Sequence, residues 1–282
     1  MKCSRDILNA LWGGYGLENL LISEKYDNTP IYRHVKLVHF LQMLEERQNV
    51  LTHPSSWDDP FEGVIFNSKY VDEDNNVIRS DSAYSRFYGQ CWTFNDADTE
   101  LQWKSHSADG YGVCLGTTVK RIKEALIGLD ELENPPACVI GGIQYKKLSA
   151  IRRIVEDMSR RHDPNAKIGR VTENGLISFL FLKREEYQDE KELRIIVNIG
   201  GDNTPLGRFQ KTLHGANKYG LVKYDVDPKS FLKVVILDPR MPTSIADFVR
   251  LRVKQTEWGL NVAQSDLYTY FNDTKPIRVY KD

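Results

Sequence analysis

The run Glu190-Lys191-Glu192-Leu193-Arg194-Ile195-Ile196-Val197-Asn198 constrains this chain more than any other. Its second half reads as a β-strand, because β-branched Ile and Val fit a pleated surface. On a strand, alternate side chains share a face. Glu190, Glu192 and Arg194 then point one way. Lys191, Leu193, Ile195 and Val197 point the other, the last three into a core. Two carboxylates and a guanidinium in a row are costly to bury without partners. On spacing alone, a solvated strand end with a cross-strand ion pair is the better account of them.

The rest of the chain fits a sheet protein with helices interspersed. Ile31 to Arg33 and Val50 to Thr52 read as short strands around a helix over 35–47, where Leu37, Val38, Leu41 and Leu44 recur at helical spacing. Acidic residues from Tyr70 to Ser85 mark a surface loop with room for a hairpin. Strands are expected over 90–94, 111–115, 139–145, 193–198 and 233–237. Helices are expected over 99–107, 118–127, 149–161 and 244–254. The last opens on Ser244-x-x-Asp247, which has the form of a capping box. Asn134-Pro-Pro136 reads as a break and Gly200-Gly201-Asp202-Asn203 as a turn. The order lacks a regular βαβ alternation. The expected class is α+β, with a mixed, mostly antiparallel central sheet and flanking helices. The expected organisation is one domain over 1–282, with a helical insertion around 148–182.

Charge narrows the partners. There are 38 basic and 39 acidic side chains, a formal net charge of -1. That balance argues against nucleic-acid binding by the whole surface and against attraction to anionic membranes, but permits a local basic cleft. No stretch approaches the roughly 20 apolar residues of a membrane helix. The N-terminus lacks a secretory pattern, so the expected compartment is the cytosol. The four cysteines form no Cys-x-x-Cys pair and read as reduced thiols. The histidines show no metal-ligand spacing: His34 and His39 fall five apart on the expected helix. Dinucleotide and phosphate-loop glycine fingerprints are absent.

Two further segments can carry chemistry. In Trp57-Asp58-Asp59-Pro60-Phe61-Glu62, the proline biases Asp59 to extended backbone and an Asx-type bond can organise the turn. Trp57 and Phe61 are expected as core anchors, and Asp59 and Glu62 serve equally as turn or site residues. Cys91-Trp92-Thr93-Phe94, Gln102-Trp103 and Gly110-Tyr111-Gly112-Val113-Cys114 supply aromatics that could stack on a base or nicotinamide ring, although such aromatics more often belong to a core.

Together these motifs resemble a widespread bacterial domain-of-unknown-function family. The matching pieces are Tyr32-Arg33, the 57–62 turn, Cys91-Trp92-Thr93-Phe94, Gln102-Trp103 with Tyr111-Gly112-Val113-Cys114, Gln144-Tyr145, and Tyr187-x-x-Glu190-x-Glu192-x-Arg194. Asp58, His106 and Tyr187 depart from the usual Asn, Tyr and Trp. The layout also resembles mono-ADP-ribosyltransferases of the Arg–Ser–Glu type. That resemblance implies an NAD substrate held by Arg33 on an early strand. It implies Glu192 on the nicotinamide ribose and the developing oxocarbenium ion, and Glu190 on the acceptor. The middle Ser-Thr-Ser strand has no clean match; Thr52, Ser55 and Ser56 are nearest. Tyr32, Trp103, Tyr111 and Arg194 complete the cofactor-binding set it implies. The acceptor would be a macromolecule, protein or nucleic acid, and the role that of a toxin or antiphage effector.

This reading requires Arg33 and Glu192 to line one cleft. Two others stand beside it. Asp59, Glu62, Glu190 and Lys191 could form a metal-dependent nuclease site. Alternatively the chain is a non-enzymatic sensor or interaction module of a defence system, with a structural charged set.

Overall fold

A computed structural model describes residues 24–57, 59, 61–62, 70–71, 77–78, 87–95, 98–127, 137–160, 177, 179–198, 209–214 and 217–269. Asp58, Pro60, the 134–136 break, the 200–203 turn and most of 161–178 lie outside them. The opening strand–helix–strand is β1 (Pro30–Lys36), α1 (Leu37–Glu46) and β2 (Gln48–Thr52). His34 therefore sits on a strand and His39 on the helix, so they do not share an element. Arg47 takes the left-handed conformation (φ 55°) and its N–H returns to the Met43 carbonyl, which stops α1 and turns the chain into β2.

A small hairpin follows, β3 (Tyr70–Val71) on β4 (Val77–Ile78), inside the acidic segment. Next come β5 (Phe87–Thr93), α2 (Glu100–His106), β6 (Gly112–Thr118), α3 (Val119–Ile127) and β7 (Ala137–Gly142). The single strand expected over 139–145 is two, because the chain leaves the sheet at Ile143 and resumes as β8 (Gln144–Lys146). After α4 (Leu148–Arg160) come β9 (Leu182–Arg184), a 3-10 turn over Glu185–Glu190, and β10 (Glu192–Asn198). The chain continues with β11 (Phe209–His214), β12 (Asn217–Asp225), α5 (Pro228–Phe231), β13 (Val234–Leu237), α6 (Thr243–Lys254) and β14 (Asn261–Gln264). The capping box expected before α6 does not form. Its N-cap is Pro242, without a side-chain cap bond, and the Asp247 carboxylate instead takes Arg250.

Ten strands make one mostly antiparallel sheet, in the order β11-β12-β2-β5-β1-β6-β13-β14, with β10 and β7 joined through β5. β5 is the junction. One of its edges pairs with β10 from Phe87 to Thr93. The other is divided, meeting β2 at Gly89 and β1 at Thr93. Among the described strands, β13–β14 and the separate β8–β9 ribbon pair in parallel.

Register assigns the faces, since directly paired residues share a side. Leu193, Ile195 and Val197 face the main core with Ile31, Val35, Leu51, Leu115 and Tyr224, under α1, α3 and α6. Each such aliphatic side chain contributes about 1.5–3 kcal/mol by leaving water. The opposite face carries Glu192 and Arg194 of β10 and the Trp103 cluster of α2, which packs on Cys114 and Tyr32. The β-branched half of the opening motif thus seals the core, and its charged half is left for the other side.

Candidate active site

The charged cluster begins with a break in the strand. β10 starts at Glu192, because Lys191 adopts the left-handed conformation (φ 43°) and closes the preceding 3-10 turn. Glu190 is therefore on a turn, and the expected strand alternation from Glu190 to Glu192 does not hold. The two carboxylates nonetheless converge on one cation, Lys183 of β9. Its Nζ lies 2.5 Å from Glu190 Oε2, 3.1 Å from Glu192 Oε2 and 3.2 Å from Glu62 Oε1. Thr93 secures the turn by donating to the Glu190 carbonyl at 2.5 Å, and Asn95 donates to the Asp189 carbonyl.

Beneath this lies Arg194, fully buried. Its Nε donates to Glu192 Oε1 at 2.7 Å, Nη1 to the Leu180 carbonyl at 2.6 Å, and Nη2 to Glu62 Oε1 at 3.1 Å. The guanidinium stacks 4.2 Å from the Trp57 ring. Trp57 is half-buried, and its Nε1 donates to Thr52 Oγ1. It is a platform for the guanidinium and not the expected core anchor. Phe61 is likewise half-buried, 4.6 Å from the guanidinium of Arg184. Asp59 organises its turn as expected, its Oδ1 accepting from the Phe61 N–H at 3.0 Å. It also accepts from Arg184 Nη2 at 3.2 Å, and the same nitrogen donates to the Tyr187 hydroxyl.

Four carboxylates (Asp59, Glu62, Glu190, Glu192) thus face three cations (Lys183, Arg184, Arg194). Burial works to raise the Glu192 pKa, but Arg194 and Lys183 outweigh it and hold the carboxyl below its ordinary value. Burial likewise works to lower Lys183, and Glu192, Glu62 and Glu190 reverse it, so the ammonium stays charged. Burial and the neighbouring Glu192 charge push the Cys91 thiol up, which makes it an inert neighbour. Exposure separates the carboxylates: the Glu190 side chain is 46% exposed and that of Glu192 is 5%.

The remaining candidates divide. Glu192 pairs with Thr93 and Thr93 with Tyr32, so Tyr32 shares the site face, two strands from Glu192 and roughly 10 Å away by strand spacing. Arg33 does not share it. It alternates with Tyr32 and pairs with core-facing Leu115, which turns it to the far side. Burial pushes its pKa down there, partly offset by Cys91 and Tyr224. Arg194 is enclosed by its own partners. Trp103 is fully buried, its indole N–H on Asp98 at 2.7 Å, and forms an edge contact with His34 4.7 Å away. Neither is placed to meet a ligand directly. Tyr111 is exposed, near the start of β6. Trp92 belongs to the main core.

Sequence reasoning missed Lys183 and Arg184, and named Tyr145 only as part of the Gln144-Tyr145 motif, with no role. The available signal was a basic pair between the apolar Leu180-Phe181-Leu182 and the acidic 185–192 stretch. Among the described residues no group of three or more His, Cys, Asp or Glu side chains is arranged to hold a metal ion. The carboxylates of the supposed nuclease set face Lys183, Arg184 and Arg194 instead, and Lys191 stands exposed on its turn.

No family model matches the sequence, and no curated protein matches it. Among solved structures the chain is similar to Thermus sp. 2.9 DarT in complex with NAD+, at 10% identity and a TM-score of 0.37, over 86% of this chain and 98% of that one. It is similar to the same protein in complex with ADP-ribosylated ssDNA, at 10% identity and a TM-score of 0.36, over 86% and 96%. The complex with carba-NAD+ gives 11% identity and 0.35, over 85% and 97%. Scores at this level fix neither a common architecture nor a common activity.

Proposed function

We propose that this chain cleaves the nicotinamide–ribose bond of NAD and passes the ADP-ribosyl unit to a macromolecular acceptor, as a toxin or antiphage effector would. The observation that carries the reading is Lys183, which ties a half-exposed carboxylate, Glu190, to the buried Glu192–Arg194 pair. Breaking an N-glycosidic bond builds positive charge on the ribose, and a fixed, ionised carboxylate stabilises it. A cluster with one more carboxylate than cations favours that charge. Exposure supports Glu190 as the carboxylate that reaches the sugar and Glu192 as the group that anchors it. The pyrophosphate must then be held by residues other than Arg33 and Arg194. Tyr32 remains as a wall of the same face.

The test is nicotinamide release from NAD by the purified chain, with single-stranded DNA, RNA and protein offered in turn as acceptors. Glu190→Gln is expected to abolish turnover while the protein stays folded. Full turnover in that variant overturns the reading.

One observation favours a second reading. Both carboxylate oxygens of Glu192 are taken by Arg194 and Lys183, so the cluster also works as a buried latch in a non-enzymatic interaction module. That reading expects no NAD turnover by the wild type, and a stability loss in Glu192→Gln as its main effect.

A further inference from the structure

Tyr145 belongs to a motif that neither reading uses. It lies on β8 and pairs directly with Lys183 on β9, so the two side chains share a face of that ribbon. Its hydroxyl oxygen accepts the backbone N–H of Glu192 at 2.9 Å. It thereby ends the β7–β10 ladder, one step beyond the Ile143-to-Glu192 backbone bond. A phenol that accepts one bond still has a proton to give. Among the described residues that proton has no acceptor. The side chain is half-buried, and the charges it senses are those of Glu192, Glu190 and Lys183.

We propose that the Tyr145 hydroxyl is a substrate-binding donor of this site, giving its proton to a ribose hydroxyl of the bound nucleotide while Glu190 accepts from the same sugar. The inference rests on the NAD reading above. A sugar hydroxyl needs both an acceptor and a donor. A carboxylate alone supplies only the first, and the cations nearby are committed to carboxylates. Burial, then the charges of Glu192 and Glu190, push the phenol up to about 12, against the partial relief of the Glu192 N–H. It therefore stays a neutral donor across physiological pH.

The experiment is a substrate–enzyme cycle on the full chain. Wild type and Tyr145→Phe are compared on NAD and on its 2′-deoxy and 3′-deoxy nicotinamide-ribose analogues, with the melting temperature followed in parallel. On NAD, kcat/KM is expected to fall about tenfold in Tyr145→Phe, the scale of one neutral hydrogen bond. On one of the deoxy analogues that penalty should vanish. An equal penalty on all three substrates, or none on NAD, overturns the assignment and leaves Tyr145 as a ladder cap. Should Tyr145→Phe not fold, p-aminophenylalanine at 145 keeps a para donor, and loss of the NAD-over-deoxy preference there also overturns it. A wild type that neither binds nor turns over NAD defeats the underlying reading instead, and the assignment with it.

Discussion

Glu62 and Arg194 are 132 residues apart in sequence, yet Glu62 Oε1 accepts from Arg194 Nη2 at 3.1 Å inside the protein. The contact fastens the 57–62 turn to β10. Removing one partner of a buried pair leaves the other charge uncompensated. Arg194→Met should therefore lower the unfolding free energy by about 3–5 kcal/mol in urea titrations. Arg194→Lys should recover little, because an ammonium has neither the fork that reaches Glu192, Glu62 and Leu180 nor the flat face that stacks on Trp57. A loss under about 1 kcal/mol in Arg194→Met would place the pair in the weak class of exposed ion pairs.

Glu192 gives the protein a defined acid sensitivity. Its folded pKa lies below the ordinary 4.5, so the group binds fewer protons folded than unfolded at intermediate pH. Its stabilising contribution is complete above the unfolded value and is lost as pH falls through the depressed folded one. The stability gap between wild type and Glu192→Gln should be constant from neutrality down to about pH 5, then narrow on further acidification. A gap that keeps its size at about pH 3, followed by circular dichroism in urea, would contradict this.

Gly89 carries the floor under Trp57. A Cβ there would meet the Trp57 ring at 2.8 Å, Ile196 Cδ1 at 2.8 Å and the Ile195 carbonyl at 3.0 Å. Gly89→Ala should cost about 1–3 kcal/mol, the usual range for overpacking. Because the crowding falls on Trp57, Trp57→Phe should relieve part of it, so the double variant should be more stable than additivity predicts. Strict additivity in melting temperature would mean that the indole does not bear the load.

How much was legible in the sequence depends on how local the cause was. The core half of β10 could be read from Leu193, Ile195 and Val197 because β-branching and alternation act within a few residues. The β1–α1–β2 opening was legible for the same reason. The site was less so. Lys183 gains its meaning from Glu62, 121 positions away, and from a left-handed Lys191 that brings Glu190 onto the same ammonium. Neither fact has a local pattern. Arg33 shows the converse failure. Its position on an early strand was read correctly, but its face is set by its pairing with Leu115, which only the assembled sheet decides.

The forked edge of β5 has a consequence for how the chain reaches this state. Its partners β1, β2 and β10 come from segments beginning at residues 30, 48 and 192. Most of these contacts close long loops before any of them is rewarded, which predicts slow folding. A nascent or truncated chain that stops short of residue 192 leaves one whole edge of β5 bare, an open template for intermolecular pairing. The last strand to reach the junction both brings in the Glu192 carboxylate and covers that open edge.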